Sequence, residues 1–557
     1  MRTSIGLAFS MLALSGCQGG PPLSAKYQIE TRFTGGQAIS QTLLLLGDNQ
    51  TNNVAGGAHF LSTGIADSLV SVAIRPIQLD FYGQSLLTWS LQQQDRGMPI
   101  VHMGDATNTS CTGELERFFE TMKAAQGPWV MVPGNHDGTY SGNGDVPESK
   151  NPENLMLGRA DWRSACEHAG APLDRAEFLT RYLRVLALGR PDLRGALPGG
   201  ELGEGEWAAA PAALGLLRRV HWNIRRDEPW RSFVVQEIDF SISPRAARGA
   251  RGFLLDTSQY ARRPTIVPTP LTVNTGLSGE IQEEQAQIVS RWSRRPSGGQ
   301  GKYDVLFGHH PYEALTGASR AILDRLRAQV SPLTYVSAHT HLGRYYVHPD
   351  ATAEGETWVE LNVGSIVDTP IEYRTFQIHT DKRQPGRIGF HTDLVRPVEA
   401  WFGPDAPEES PVCDAAWEAK PPGEHLLPGN DYYLSYQHVP KLSADAMRRQ
   451  LMDVMLVSYS RMIAALPPEP PAPECAEVAA RVAGALASAD LAAKRAAVAA
   501  LLSNRCDPLL TPQVAKRRRD WALCQSAWAS KYEHLGNRAP SVHDWYVTFP
   551  APHQESQ

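Results

Sequence analysis

Short apolar runs recur along the first two thirds of the chain, and each stops abruptly at polar residues suited to metal binding or catalysis. Residues 43–46 end at Gly47-Asp48, and 99–103 at Gly104-Asp105. Residues 129–132 end at Pro133-Gly134-Asn135-His136-Asp137, and 305–307 at Gly308-His309-His310. Residues 333–336 end at Ser337-Ala338-His339-Thr340-His341. Runs this short and this uniformly apolar fit strands buried on both faces. Helix-compatible stretches at 115–125 and 280–294 lie between them, so the alternation predicts an α/β domain. In such a domain ligands gather at the carboxyl ends of the strands. All the polar clusters sit at that end of their runs, which predicts that they converge in one crevice.

Further strands are expected at 233–240, 252–256, 358–363 and 373–379. Residues 150–230 break the pattern. Their helix-compatible pieces, 176–188 and 209–220, are separated by Gly/Pro-rich turns, and the segment reads as a helical insertion that could wall the site. Beyond residue 400 the composition shifts. A proline-rich connection at 404–428 precedes two helix-like stretches, 443–466 with Ser443 as N-cap and the alanine-rich 475–502. The expected organisation is a leader at 1–17, a tether and entry segment at 18–40, an α/β domain at 41–400 and a C-terminal helical region at 401–557. A packing role against the main domain is the expectation for that tail.

Composition narrows the function without naming it. At 557 residues the chain exceeds one compact core. Its 42% hydrophobic and 20% charged residues suit a globular body. The formal net charge of -6, with no long basic run, argues against a surface that coats nucleic acid. A nucleotide as a small substrate stays open.

The N-terminus carries a targeting signal. Arg2 precedes an apolar stretch from Ile5 to Leu14, well short of the ~20 residues that span a bilayer. It ends in Leu14-Ser15-Gly16-Cys17, which resembles the bacterial lipobox, whose cysteine becomes acylated. The resemblance implies a signal peptide, a lipid anchor on Cys17 and a place in the cell envelope. Gln18, standing where Asp would retain a Gram-negative lipoprotein at the inner membrane, implies the outer membrane. Export means an oxidising compartment. Besides Cys17 the chain has Cys111, Cys166, Cys413, Cys475, Cys506 and Cys524, and six cysteines allow fifteen pairings. Neighbourhood suggests Cys111 with Cys166, and Cys475, Cys506 and either Cys413 or Cys524 among themselves. Free buried thiols are the alternative.

The clusters also supply what a two-metal hydrolytic centre needs: a carboxylate to bridge the ions, further oxygen and imidazole donors, and an acid near the leaving group. In their order they resemble the blocks of the calcineurin-like metallophosphoesterases, over about residues 41–380. That resemblance implies a four-layer α/β/β/α sandwich and a phosphoesterase acting through two divalent ions. A metal-bound hydroxide would attack phosphomono- or diesters, phospholipid-like ones included. It implies Asp105 as the bridging carboxylate, with Asp48 and His341 on the first metal. Asn135, His309 and His339 would hold the second. His136 matches the catalytic histidine, with Asp137 expected to orient its ring. His309 rather than His310 is taken as the ligand, which puts His310 behind it or at the surface. Asn108 is a weaker candidate for facing the phosphate.

Two positions depart from the pattern. Gln50 stands where many relatives carry histidine. Its amide oxygen is a harder, weaker donor, which favours Mn or Fe, with Mg acceptable and Zn disfavoured. Ala338 stands where glycine is usual. Gln50 and the helical tail motivate a second reading, a catalytically weak or inactive envelope lipoprotein that uses the fold for binding or assembly.

Overall fold

The structure is a computed structural model. It describes residues 35–51, 87–138 and 171–395 with internal gaps, the strands at 28–30 and 545–550, and positions 476, 477, 480 and 484. Cys17, most of the tether and nearly all of 401–544 lie outside the described residues.

The chain enters one sheet, builds a second and returns to the first. The entering strands are β1 (Gln28–Glu30), β2 (Gly35–Ala38), β3 (Leu43–Leu46), β4 (Ile100–His102) and β5 (Trp129–Met131). The second sheet takes β6 (Glu204–Ala208), β7 (Leu217–Asn223), β8 (Phe233–Asp239), β9 (Gly249–Leu254), β10 (Lys302–Phe307), β11 (Thr334–Ser337), β12 (Arg344–Pro349) and β13 (Thr357–Asn362). The returning strands are β14 (Tyr373–Asp381), β15 (Arg387–Thr392), β16 (Leu394–Val395) and β17 (Trp545–Pro550). The first sheet runs β1-β17-β15-β14-β3-β4-β5, with β2 and β16 also paired to β14. The second runs β12-β13-β11-β10-β9-β8-β7-β6. Helices among the described residues include α1 (Thr112–Met122), α2 (Arg175–Leu186), α3 (Pro191–Ala196), α4 (Glu283–Ser293) and α5 (Gly317–Gln329).

Alternation along the second sheet explains the layers. Val234, Leu254, Val305, Phe307, Val336, Val359 and Leu361 share a core with Leu43–Leu46 and the rest of the first sheet. Their neighbours Phe233, Val235, Phe253, Leu306, Tyr335 and Trp358 join α4 and α5 residues in a separate core. Successive strand side chains point to opposite faces, so this sheet is covered by a sheet on one side and by helices on the other. Leu115, Phe118 and Met122 of α1 pack into the first core. The result is the mixed α/β fold with two sheets and helices expected from the sequence.

Strands β3, β4 and β5 are parallel, as are β9, β10, β11 and β13. The polar clusters therefore do leave strands at their carboxyl ends, and they come from both sheets. The first three leave β3, β4 and β5, and the last two leave β10 and β11.

Two expectations are corrected. Within the described part of 150–230, the first expected piece is helical, as α2, and α3 follows it; of the second piece, residues 217–220 are strand, because Glu204–Ala208 (β6) and Leu217–Asn223 (β7) pair antiparallel from Glu204↔Asn223 to Ala208↔Arg219. Cross-strand pairing of Leu217–Asn223 with β8 decides the conformation of the end of the second piece. The segment is part of the core: Tyr182 of α2 accepts the Met131 N–H at 2.8 Å and donates to Gln236, whose amide donates to Met131 O at 2.7 Å. Those two side chains satisfy the edge of β5, which would otherwise present unpaired backbone groups. The C-terminal region is also not wholly helical. Its residues 545–550 are β17, inserted between β1 and β15.

Candidate metal centre

The loops after β3 and β4 turn sharply at their polar residues. Among the described residues, the non-glycine residues with positive φ are Asp48, Gln50, Asp105, Ser110, His339 and His341. All but Ser110 are candidate ligands. The left-handed region costs L-residues roughly 1–2 kcal/mol, and such strain collects at functional sites. Gly104, with φ of 102°, makes the approach possible: a Cβ there would stand 2.7 Å from His309 Nδ1 and from Val132 O.

Asp105 is the hub. It is 1% exposed. Its Oδ1 accepts the His136 backbone N–H at 3.0 Å and lies 3.3 Å from His309 Nε2. Its Oδ2 accepts from Gln50 Nε2 at 3.2 Å. Burial works to raise this carboxyl, but the charges of His309 and then His136 outweigh it and hold it well below the usual range. On one side, His309 Nε2 is 3.1 Å from Asn135 Oδ1 while its Nδ1 faces Met103 O at 2.8 Å. The carbonyl fixes the proton on Nδ1 and leaves Nε2 for the centre. Burial would lower the His309 pKa; the Asp105 charge raises it to about 9. On the other side, His341 Nε2 lies 3.4 Å from Asp48 Oδ1, and Asp48 Oδ2 accepts the His339 N–H at 3.2 Å. The ring of His339 packs 5.2 Å from that of His309, centroid to centroid. Desolvation and the His309 charge lower it to about 3.

The donors fit a cation. Asp48 Oδ1 and Gln50 Oε1 are buried acceptors with no hydrogen-bond donor. Each such group costs about 1–3 kcal/mol unless something positive meets it. Asp48, Asp105 and His309 offer ligand atoms within 4.8 Å of one another, as do His309, His310 and His339.

His136 and Asp137 divide their work differently from expectation. The His136 Nδ1–H donates to the backbone carbonyl of Asn108 at 2.6 Å, and Nε2 lies 3.8 Å from Asp105 Oδ2. The Asp137 carboxylate instead accepts from Thr107 N at 3.0 Å, Thr107 Oγ1 at 3.2 Å and Gly134 N at 2.9 Å. It braces two loops and leaves the ring to Asn108. Burial, then the Asp105 charge, push its carboxyl up to about 7. Asn108 is itself buried, and its backbone carbonyl is what meets the His136 ring here. His310, expected behind the site or at the surface, is fully buried beside it.

Sequence reasoning missed the braces. Arg175, at the first turn of α2 after the N-cap Asp174, donates through Nη1 to Gly134 O at 2.9 Å and to Asp137 O at 2.5 Å. Its Nη2 pairs with Asp256, and both side chains are fully buried. Asp256 directly follows an apolar run, the same signal that marked the other clusters. His102 Nε2 reaches Asn49 Oδ1 at 2.6 Å, tying the loop after β3 to the end of β4; burial keeps it neutral, with its pKa lowered to about 3. Asn362 donates to Ser337 Oγ at 2.7 Å and Ala338 O at 2.6 Å, and Ser365 Oγ to Asp48 O at 2.8 Å. These bonds fix the loops that carry His339, His341 and Asp48. Cys111 is disulfide-bonded, to a partner outside the described residues.

Residues 86–199 match the model of a known family, described as calcineurin-like phosphoesterase. The match contains Asp105, Asn135, His136 and Asp137, whereas Asp48, Gln50, His309, His339 and His341 join them through the fold. Comparison with curated proteins found no match. Among solved structures, a phosphopantetheinyl hydrolase from Mycobacterium tuberculosis is similar at 12% identity and a TM-score of 0.24, covering 59% of this chain and 91% of that one. That likeness is too weak to carry any inference about this chain.

Proposed function

Taking the chain as a calcineurin-like phosphoesterase, we propose that it is a metal-dependent hydrolase of phosphomono- or diesters working at a two-metal centre. The observation that carries this reading is the pair of buried, donorless oxygens, Asp48 Oδ1 and Gln50 Oε1, beside the Asp105 carboxylate. Asp48, Gln50 and His341 would hold one ion, and Asn135, His309 and His339 the other, with Asp105 shared. When bound, divalent ions would polarise the phosphoryl oxygens and acidify a water.

The chain's own residues supply the rest. Asn108 keeps the proton of His136 on Nδ1, so Nε2 faces the centre. In the imidazolium form, Nε2–H can pass a proton to the departing oxygen. Arg175 and Asp137 hold the backbone around Asn135 and His136, which keeps the donors in place as charge changes hands. Metal-dependent turnover of a chromogenic phosphate ester, lost in Asp105→Asn, tests this reading.

We propose in addition that the chain is exported and tethered to the envelope, at the outer membrane, through a lipid on Cys17. The apolar stretch from Ile5 to Leu14 and the lipobox-like Leu14-Ser15-Gly16-Cys17 support it. Among the described residues no helix is long and apolar enough to cross a membrane. Labelling with a radioactive fatty acid, abolished in Cys17→Ser, is the test.

A further inference from the structure

His310 is fully buried against His309 and His339. Its Nδ1 lies 2.8 Å from Thr257 Oγ1, and the same hydroxyl accepts the His310 backbone N–H at 3.1 Å. A hydroxyl oxygen has two lone pairs, so Thr257 can accept from both nitrogens. Nδ1 then carries the ring proton, and Nε2 keeps an in-plane lone pair. That Nε2 is buried and has no hydrogen-bond partner.

The surroundings leave the ring little freedom. Gly279 packs against it so closely that a Cβ there would stand 2.6 Å from His310 Cγ. Tyr335 donates its hydroxyl to His310 O at 2.6 Å. The ring lies 4.6 Å from that of His339 and 5.0 Å from that of His309, centroid to centroid. One nitrogen from each of the three rings falls within 4.8 Å of the others. Water has no access to this nitrogen, and an unsatisfied buried acceptor is costly. A metal ion shared with His309 and His339 would satisfy it.

We propose that His310 is a ligand at the second metal position, which thereby gains a face of three imidazoles. The first position, by contrast, has the oxygens of Asp48, Gln50 and Asp105 with one imidazole, His341. This assignment rests on the metal centre of the proposed function and goes beyond it. Imidazole-rich sites suit zinc and iron, and oxygen-rich sites suit manganese and magnesium. The two positions are therefore unequal, the second being the tighter one for zinc.

The test is calorimetric titration of the metal-stripped full chain with zinc chloride, and separately with manganese chloride. His310→Ala should weaken the tighter zinc site by about 10-fold or more, with the manganese affinity of the other position unchanged. Because the ring is buried, His310→Gln is run beside it: its amide keeps a donor for Thr257 but binds zinc poorly. Thr257→Val, which removes the anchor and leaves the ring, should weaken zinc in the same direction by less. Near-UV circular dichroism identifies the variants that fold. Unchanged zinc affinity in the folded variants, with wild type loading normally, overturns the role of His310 and leaves the metal centre standing. No metal binding by wild type overturns both.

Discussion

His136 is held by Asn108, whose backbone carbonyl lies 2.6 Å from the ring Nδ1. A carbonyl can only accept, so this bond fixes the tautomer and aims Nε2 at the centre, whatever side chain stands at 137. Replacing the ring should remove proton transfer and leave the ligands in place. His136→Ala is expected to lower kcat about 10²- to 10⁴-fold while metal stoichiometry, measured on the same samples, stays at the wild-type value. A matching loss of bound metal would mean that His136 belongs to the ligand set.

Asp137 should behave as a brace. Its carboxylate accepts from Thr107 and Gly134, and Asp137→Asn turns an amide N–H toward donors. We expect about 1–3 kcal/mol lower stability in urea, with a smaller effect on kcat than His136→Ala. A collapse of kcat with unchanged stability would restore Asp137 as the partner of the ring.

Arg175 and Asp256 form a fully buried ion pair. Removing one partner strands the other. Arg175→Met should cost about 3–5 kcal/mol, read from denaturant unfolding. The double variant Arg175→Met with Asp256→Asn should cost less than the sum of the two single changes, because the stranded charge is gone. Additive losses would show that the two side chains do not act as a unit.

Gln50 sets the donor strength of the first position. Its Oε1 is buried without a donor, and its Nε2 hydrogen-bonds Asp105. Gln50→His supplies a borderline nitrogen in place of a hard oxygen. Zinc affinity at that position should rise, measured by competition with a chromogenic chelator. Unchanged zinc binding would place Gln50 outside the coordination sphere.

The strands that carry the centre could be read because burial on both faces leaves uninterrupted apolar runs such as Leu43–Leu46, and because each run stops where its loop must carry donors. The residues that brace those loops could not. Arg175 in a helix reads as a solvated cation; only the fold brings it to Gly134 and Asp137. The Asn108 carbonyl leaves no trace in side-chain chemistry. Residues 217–223 carry a composition that a helix would also accept, and pairing with β8 decides the matter. Residues 545–550 pair with strands 150 or more positions away, a contact no local pattern encodes. The resemblance to the calcineurin-like phosphoesterases pointed to Asp137 as the orienter of His136. The local geometry gives that bond to a backbone group three residues beyond Asp105.

The central claim is that Asp105 organises a metal centre that hydrolyses phosphate esters. The most direct measurement is turnover by the full chain, stripped of metal and reloaded with Mn, on bis-p-nitrophenyl phosphate and p-nitrophenyl phosphate side by side. The account predicts release of p-nitrophenol only after reloading, and its loss in Asp105→Asn. Turnover that survives stripping or the Asp105 substitution would contradict it, as would no turnover on either ester with both metal positions filled.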